Sequence, residues 1–399
     1  MPLNLKFNRL ELAGSLGDLG TLLPIAVGMI LINGLDAMGV FFSIGLFYVL
    51  SGLYFNVTMP VQPMKVIGAY ALATAMSAQQ IMAAGILMGI FLLIIGLTNA
   101  ITVISRYIPK PVVRGVQLST GIILMAQGVR LMMGTSQFQQ LQKAAEPYLA
   151  IQNIGPVPVG IVFGVIGGVL TLLFLNSKRF PAGLLVVAGG MLLGVLFGAG
   201  AGFKQAAVGL NWPGWLPFGL PSRIDLSFAV LVLVLPQIPM TIGNAVIANG
   251  DLAKDYFGPA AGKVTYRSLT ISMALACIGA VLMGGMPLCH GAGGLAAHYR
   301  FGARTAGSNL IIGALFLAAA VLLGSHVLAL ANLMPMSILG ILLLFAGSQL
   351  AMTVMELKER KEMFVALTVL GITLATNLAA GFLVGIVIAY ILKPARFAV

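Results

Sequence analysis

Two short stretches of this 399-residue chain combine residue types that could hold an anion in apolar surroundings. One is Met286-Pro-Leu-Cys-His-Gly-Ala-Gly-Gly-Leu-Ala-Ala-His-Tyr-Arg300, and the other is Met59-Pro-Val-Gln-Pro-Met-Lys65. Each opens on Met-Pro, then an aliphatic residue, then a hydrogen-bond donor, Gln62 or Cys289. Proline removes an N–H and disfavours helix in the residue before it. Each stretch is therefore expected to run extended and then start a helix. A helix start offers unpaired N–H groups and a partial positive charge, which attract anions. Gly291, Gly293 and Gly294 would leave that backbone uncovered, with Ala292 among them and His290 and the Cys289 backbone alongside. Gln62 and the N–H groups of Met64 and Lys65 would hold the mirrored position. Two such half-helices pointing at each other would bind one small anion between them, with Gln62 and His290 as side-chain donors.

Other polar groups fall inside apolar runs, where ionisable residues are costly and functional by default. Asp18 is one, open to pairing with Lys65, to accepting bonds from a half-helix or to carrying a coupling proton. Asn244 and Asn249 are expected to reach the cavity. Asp251 is expected to line it or, with Asp255, to cap a helix end. His298 is expected at a surface or lining position nearer the cytoplasm, and His326 in a structural role. Arg300 and Arg304 are expected as cytoplasmic anchors. The mixed charges from Glu356 to Glu362 read as a solvated loop.

These elements need a membrane to position them. The chain is 59% hydrophobic and 8% charged, against about 25% charged in soluble domains. Its net charge of +12 is dispersed between apolar runs, which argues against nucleic acid as a partner. Two cysteines make neither a disulfide framework nor a structural zinc site. No His/Glu metal motif or nucleophile pair suggests an enzyme, and no cofactor is expected. The run Gly291-Ala-Gly-Gly-Leu-Ala296 lacks the strand and acidic residue of a dinucleotide site. No cleavable signal peptide is expected, the first span serving as its own insertion signal.

A span needs about 20 apolar residues. The expected architecture is an all-α polytopic membrane protein of fourteen spans. The first seven are 11–33, 36–55, 58–76, 80–104, 111–133, 156–176 and 181–203. The second seven are 225–250, 265–284, 286–299, 304–325, 327–353, 361–376 and 378–393. The third and tenth are broken, each a short extended arm plus a half-helix. Non-helical backbone at membrane depth survives only when buried in protein or lining a cavity, and paired broken spans point to a transporter's binding site. With both termini cytoplasmic, 17 of the 22 Lys and Arg residues fall inside, as the positive-inside rule requires. The outside loops take Lys143, Lys204 and Arg223. Seven spans per half is odd, so residues 1–203 and 204–399 are expected as inverted repeats. The polar stretch 134–155 reads as an external surface connection.

Glu11-Leu-Ala-Gly-Ser-Leu-Gly-Asp-Leu-Gly-Thr-Leu-Leu-Pro24, Gln62-Pro-Met-Lys65 and Met286 to Gly302 closely resemble the signatures of the molybdate transporter family, related to the SulP sulfate permeases. The resemblance covers essentially the whole chain. It implies a seven-plus-seven inverted-repeat fold, with a core domain from spans 1–4 and 8–11 and a gate domain from spans 5–7 and 12–14. It implies substrate between the third and tenth spans. Typical SulP permeases carry a cytoplasmic STAS domain; none is expected here. A homodimer is one assembly that the wider fold allows.

The expected function is secondary-active transport of a tetrahedral oxyanion, molybdate by resemblance, across the plasma membrane. Concentrating a dianion against an inside-negative potential costs about 2.3 kcal/mol per charge per 100 mV, so uptake needs coupling, for example to protons, or an intracellular sink. Sulfate or nucleobase symport and a passive anion channel stand as alternatives. Nucleobase recognition would favour carboxylates at the half-helix starts, where this chain offers Gln62 and Cys289-His290.

Overall fold

The computed structural model describes residue 3 and residues 5–177, 180–199 and 208–393. Lys178, Arg179, Lys204 and Arg396, and the boundary between the two expected repeats, lie outside the described residues. The described chain is helical, with two short ladders, and it is a polytopic membrane protein. Among the described residues six helices are long and apolar enough to cross a bilayer, and the bent pair Arg9–Ser15 and Leu19–Leu31 makes a seventh. Val159–Phe174, Ala182–Leu196, Tyr266–Leu282 and Leu378–Ile391 are shorter apolar helices.

Three helix pairs dominate the packing. Met336–Ala351 lies along Lys110–Met133, Ala306–Leu323 along Ala37–Phe55, and Tyr266–Leu282 along Ala78–Leu97. Lipid tails supply no hydrophobic drive between helices, so close backbone approach decides such contacts. Glycine makes it possible at the first pair. A Cβ at Gly121 would come 2.5 Å from the Gly347 carbonyl, and one at Gly347 would come 2.5 Å from the Gly121 carbonyl.

Several spans differ from the simple apolar runs expected. The span at 11–33 is bent by 42° between Ser15 and Leu19. At this bend a Cβ on Gly17 would come 2.8 Å from the Ala297 carbonyl, so the chain breaks where it meets the second half-helix. The span at 80–104 stops at Leu97, and Asn99 takes a left-handed φ of 57° before Ile101–Tyr107. The span at 225–250 is one helical run from Arg223 to Phe257 with π-helical stretches at Val230–Val234 and Thr241–Ala248. Pro236 and Pro239 lie between those stretches and have no N–H for the regular ladder, and such interruptions shift helical register. The span at 327–353 divides into Val327–Asn332 and Met336–Ala351, because Pro335 disfavours helix just before it.

The 134–155 connection is more than surface. Ser136 and Gln139 form a capping box for Gln137–Gln142. Glu146 is buried and accepts from the N–H groups of Met336 (2.7 Å) and Ser337 (2.9 Å), fastening the connection to a helix start. Glu11 does the same for the helix at Ala306, accepting from Arg304 N, Thr305 N and Thr305 Oγ1. Glu356, expected in a solvated loop, accepts from Arg114 at 2.5 Å and lies 3.7 Å from Lys110. It is half exposed, so this pair contributes little to stability.

Candidate anion site

The two Met-Pro stretches meet in the protein interior. Gln62–Pro63 and Leu288–Cys289 form an antiparallel ladder with Gln62 opposite Cys289 and Pro63 opposite Leu288. Buried backbone polar groups must find partners, and here they do. Met64 N donates to the Pro287 carbonyl at 3.0 Å. Asn309 accepts from Met59 N (2.9 Å) and donates to the Met59 carbonyl (2.7 Å). The Tyr48 hydroxyl lies 3.2 Å from the Val61 carbonyl, and Cys289 Sγ lies 3.5 Å from the Pro63 carbonyl. The prolines at 60, 63 and 287 bring no N–H that needs a partner here.

Each arm leads directly into a short helix, Lys65–Thr74 after the first and Ala292–Arg300 after the second. The two starts differ. At the first, Gln237 Oε1 accepts from Val66 N (3.0 Å) and Ile67 N (3.2 Å), while Gln237 Nε2 donates to Thr241 at 2.9 Å. At the second, Gly291 is extended and offers no side-chain cap. Among the described residues no side chain accepts from the N–H groups of Ala292, Gly293 or Gly294. A Cβ at Gly293 would meet no atom within 4 Å, so this backbone faces open space.

Gly294 turns the other way. A Cβ there would come 2.6 Å from Asp18 Oδ2 and 2.7 Å from Gln62 Nε2. Asp18 sits in the bend before Leu19–Leu31, is buried, and accepts from Gln62 Nε2 at 2.5 Å. Gln62 is likewise buried, and its Oε1 has no partner among the described residues. A side chain added at Gly291 would collide with that oxygen, and Asn244 Nδ2 stands 3.4 Å from the same point. Asp18, Gln62, Gly291, Gly294 and Asn244 therefore converge on the second helix start.

Other expected residues have different surroundings. His290 Nδ1 lies 2.8 Å from the Pro60 carbonyl and Nε2 lies 3.1 Å from Ser272 Oγ, with Phe47 and Phe55 against its ring. Both ring nitrogens are engaged by the protein, so His290 ties the second arm to the first. The Met64 N–H is taken by the arm pairing. Lys65 is half-buried and forms no ion pair among the described residues, though its charge reaches Asp18. Asp251 is exposed inside the helical run that ends at Phe257 and accepts from the Tyr266 hydroxyl at 2.7 Å. His298 is buried, not at a surface, bridging the Gly14 carbonyl (2.7 Å) and the Tyr48 hydroxyl (3.3 Å). Arg304 stacks on Tyr299.

Gln237 was not legible as a site residue. Its signal is a lone amide between Pro236 and Pro239 in an apolar run, and nothing local says which helix end it caps.

A family profile described as "Molybdate transporter of MFS superfamily" matches residues 10–124 and 229–350, which include both arms, both half-helices, Asp18 and Gln237. The chain belongs to the molybdate transporter family. It is 31% identical over 412 residues to Molybdate transporter 2 of Arabidopsis thaliana, covering 96% of this chain and 87% of that one. It is 30% identical to Molybdate transporter 1 of Chlamydomonas reinhardtii, covering 94% of this chain and 90% of that one. Among solved structures, the transmembrane domain of the cyanobacterial bicarbonate transporter BicA matches with a TM-score of 0.65 at 16% identity, covering 97% of this chain and 99% of that one. The murine anion transporter Slc26a9, in an inward-facing state, matches with a TM-score of 0.67 at 15% identity, covering 97% of this chain and 69% of that one. This family member therefore has a SulP-like fold.

Proposed function

We propose that this protein is a secondary-active molybdate transporter of the plasma membrane, and that its anion binds at the start of Ala292–Arg300. The observation that carries the reading is the uncapped, glycine-lined helix start beside the crossing of the two arms, with Gly291 and Gly294 buried and Gly293 open. Its free N–H groups point where an oxyanion could approach, and the helix end contributes partial positive charge. Gly293 leaves room for close contact, and Asn244 supplies a side-chain donor. The first half-helix faces the same crossing with its N–H groups held by Gln237, which an arriving anion would displace or share. Cys289 and Ala292 shape the wall through their backbones, and Lys65 adds positive potential.

The architecture in this reading is a fourteen-span, seven-plus-seven inverted repeat with cytoplasmic termini. Packing supports it: Ala37–Phe55 on Ala306–Leu323 and Ala78–Leu97 on Tyr266–Leu282 exchange under a seven-span shift, while Lys110–Met133 on Met336–Ala351 maps onto itself. Spans 1–4 and 8–11 form the core and the remaining spans the gate, and alternating access comes from their relative motion. Asp18 is the group we assign to proton coupling.

Equilibrium binding of molybdate to purified protein tests the reading, with tungstate, sulfate and uracil as competitors. Saturable binding displaced by tungstate and poorly by sulfate is expected. No molybdate binding, with sulfate or uracil bound instead, would overturn the substrate and leave the fold. Flux without accumulation in vesicles would replace the transporter with a passive channel.

A further inference from the structure

The buried Gln62 amide is satisfied at one end only. Its Nε2 donates to Asp18 at 2.5 Å, while its Oε1 has no partner and faces Gly291 at the proposed anion site. That orientation follows from Asp18. An ionised carboxylate only accepts, so the amide must give it the NH2 end. The carbonyl oxygen is then left pointing where an oxyanion would bind, and two lone-pair-bearing groups repel.

We propose that Gln62 is a two-position switch through which a proton on Asp18 and an oxyanion at the Ala292–Arg300 helix start bind together. This inference rests on the site assigned above. A protonated Asp18 carries an O–H donor, which the amide oxygen accepts after a half-turn about the last side-chain torsion. That torsion is broad and roughly two-fold, and the half-turn exchanges two groups of similar size. The NH2 end then faces Gly291 and donates to the anion. The proton comes from the aqueous side and ends on the Asp18 carboxyl, and no bond to the anion's central atom forms. With Asp18 ionised, the same amide presents oxygen and the site rejects an anion.

Asp18 has other neighbours that bear charge or titrate. Lys65 faces it from the first half-helix and His298 from the second. Tyr48 faces it from Ala37–Phe55 and Cys289 from the second arm. Lys65 forms no ion pair among the described residues, and His298 is held by Gly14 and Tyr48. Of these groups, Asp18 alone is hydrogen-bonded to the amide that reaches the site.

The test measures molybdate binding to the full-length protein between about pH 8 and about pH 6, with proton uptake followed by a dye in weak buffer. Wild-type affinity should rise by up to about tenfold per pH unit as pH falls, with close to one proton taken up per molybdate bound. Asp18→Asn, which keeps a donor and an acceptor for the amide, should bind with no pH slope and no proton uptake. Gln62→Leu should bind more weakly than wild type at about pH 6, with most of the slope gone. His298→Gln should keep the wild-type slope. Wild-type binding without proton uptake would overturn the switch, and this needs no variant to fold. An unchanged slope in Gln62→Leu would mean that Asp18 acts through space, and a slope lost only in His298→Gln would move the proton to that residue. Either outcome overturns the switch and leaves the molybdate site standing. Absence of molybdate binding at every pH removes the site and the switch together.

Discussion

The two half-helices begin alike in sequence and end differently in chemistry. Both follow a Met-Pro arm, and both start beside the arm crossing. The start at Lys65 is closed by a carboxamide oxygen from Gln237. The start at Ala292 is left open and is lined by three glycines. A repeated motif thus gives two equivalent dipole ends, and one residue from a distant helix decides which is ready for a ligand. On the proposed reading, the anion site lies where the two arms have stopped being equivalent.

That contrast can be broken at its open end. Gly291→Val places a branched side chain on Gln62 Oε1 and should weaken molybdate binding by at least roughly 100-fold, equivalent to about 2.7 kcal/mol. Unimpaired binding by titration calorimetry would put the anion elsewhere. Next comes His290. Replacing it with Ala removes one buried and one part-buried hydrogen bond and should lower stability by about 2 kcal/mol, while affinity in the folded fraction stays within about threefold. A large affinity loss at unchanged stability would return His290 to the site.

The closed end gives a smaller effect. Gln237→Ala uncaps the first half-helix at a cost of about 1 kcal/mol and removes the group competing with the anion there. Binding should tighten by about threefold, and a loss instead would make Gln237 a ligand. The smallest effect lies in the connection after Lys110–Met133, at Glu146, whose carboxyl is pushed above the ordinary glutamate range by burial. A raised value means that the folded state holds the proton more firmly than the unfolded one. Wild-type stability relative to Glu146→Gln should therefore fall as pH rises from the ordinary glutamate value through the raised one. Parallel pH profiles in denaturant unfolding would dismiss that linkage.

Much of this was readable from the chain. Prolines at 60, 63 and 287 dictate extended backbone, and glycines at 291, 293 and 294 an uncovered helix start, because both effects are local. Asp18 stood out because a carboxylate is expensive in an apolar run. Side-chain direction was not readable. His290 follows Cys289 on an extended arm, and which side of that arm it faces is settled by Pro60 and Ser272, far away in sequence. The same holds for His298 between Gly14 and Tyr48, and for Glu11 and Glu146, which cap helix starts 294 and 190 residues onward. The bend that holds Asp18 coincides with a close approach of Gly17 to Ala297, which no periodicity records.

The ladder that joins Gln62–Pro63 to Leu288–Cys289 also bears on mechanics. It staples the two halves of the sequence beside the proposed anion site, and Met64 N and Asn309 add further stitches. Separating the half-helix starts would strand several backbone groups out of reach of water, at about 1–3 kcal/mol for each. In the proposed cycle such a crossing travels as cargo and crate together, so a motion opening the protein to one side and then the other would carry the proposed pocket whole.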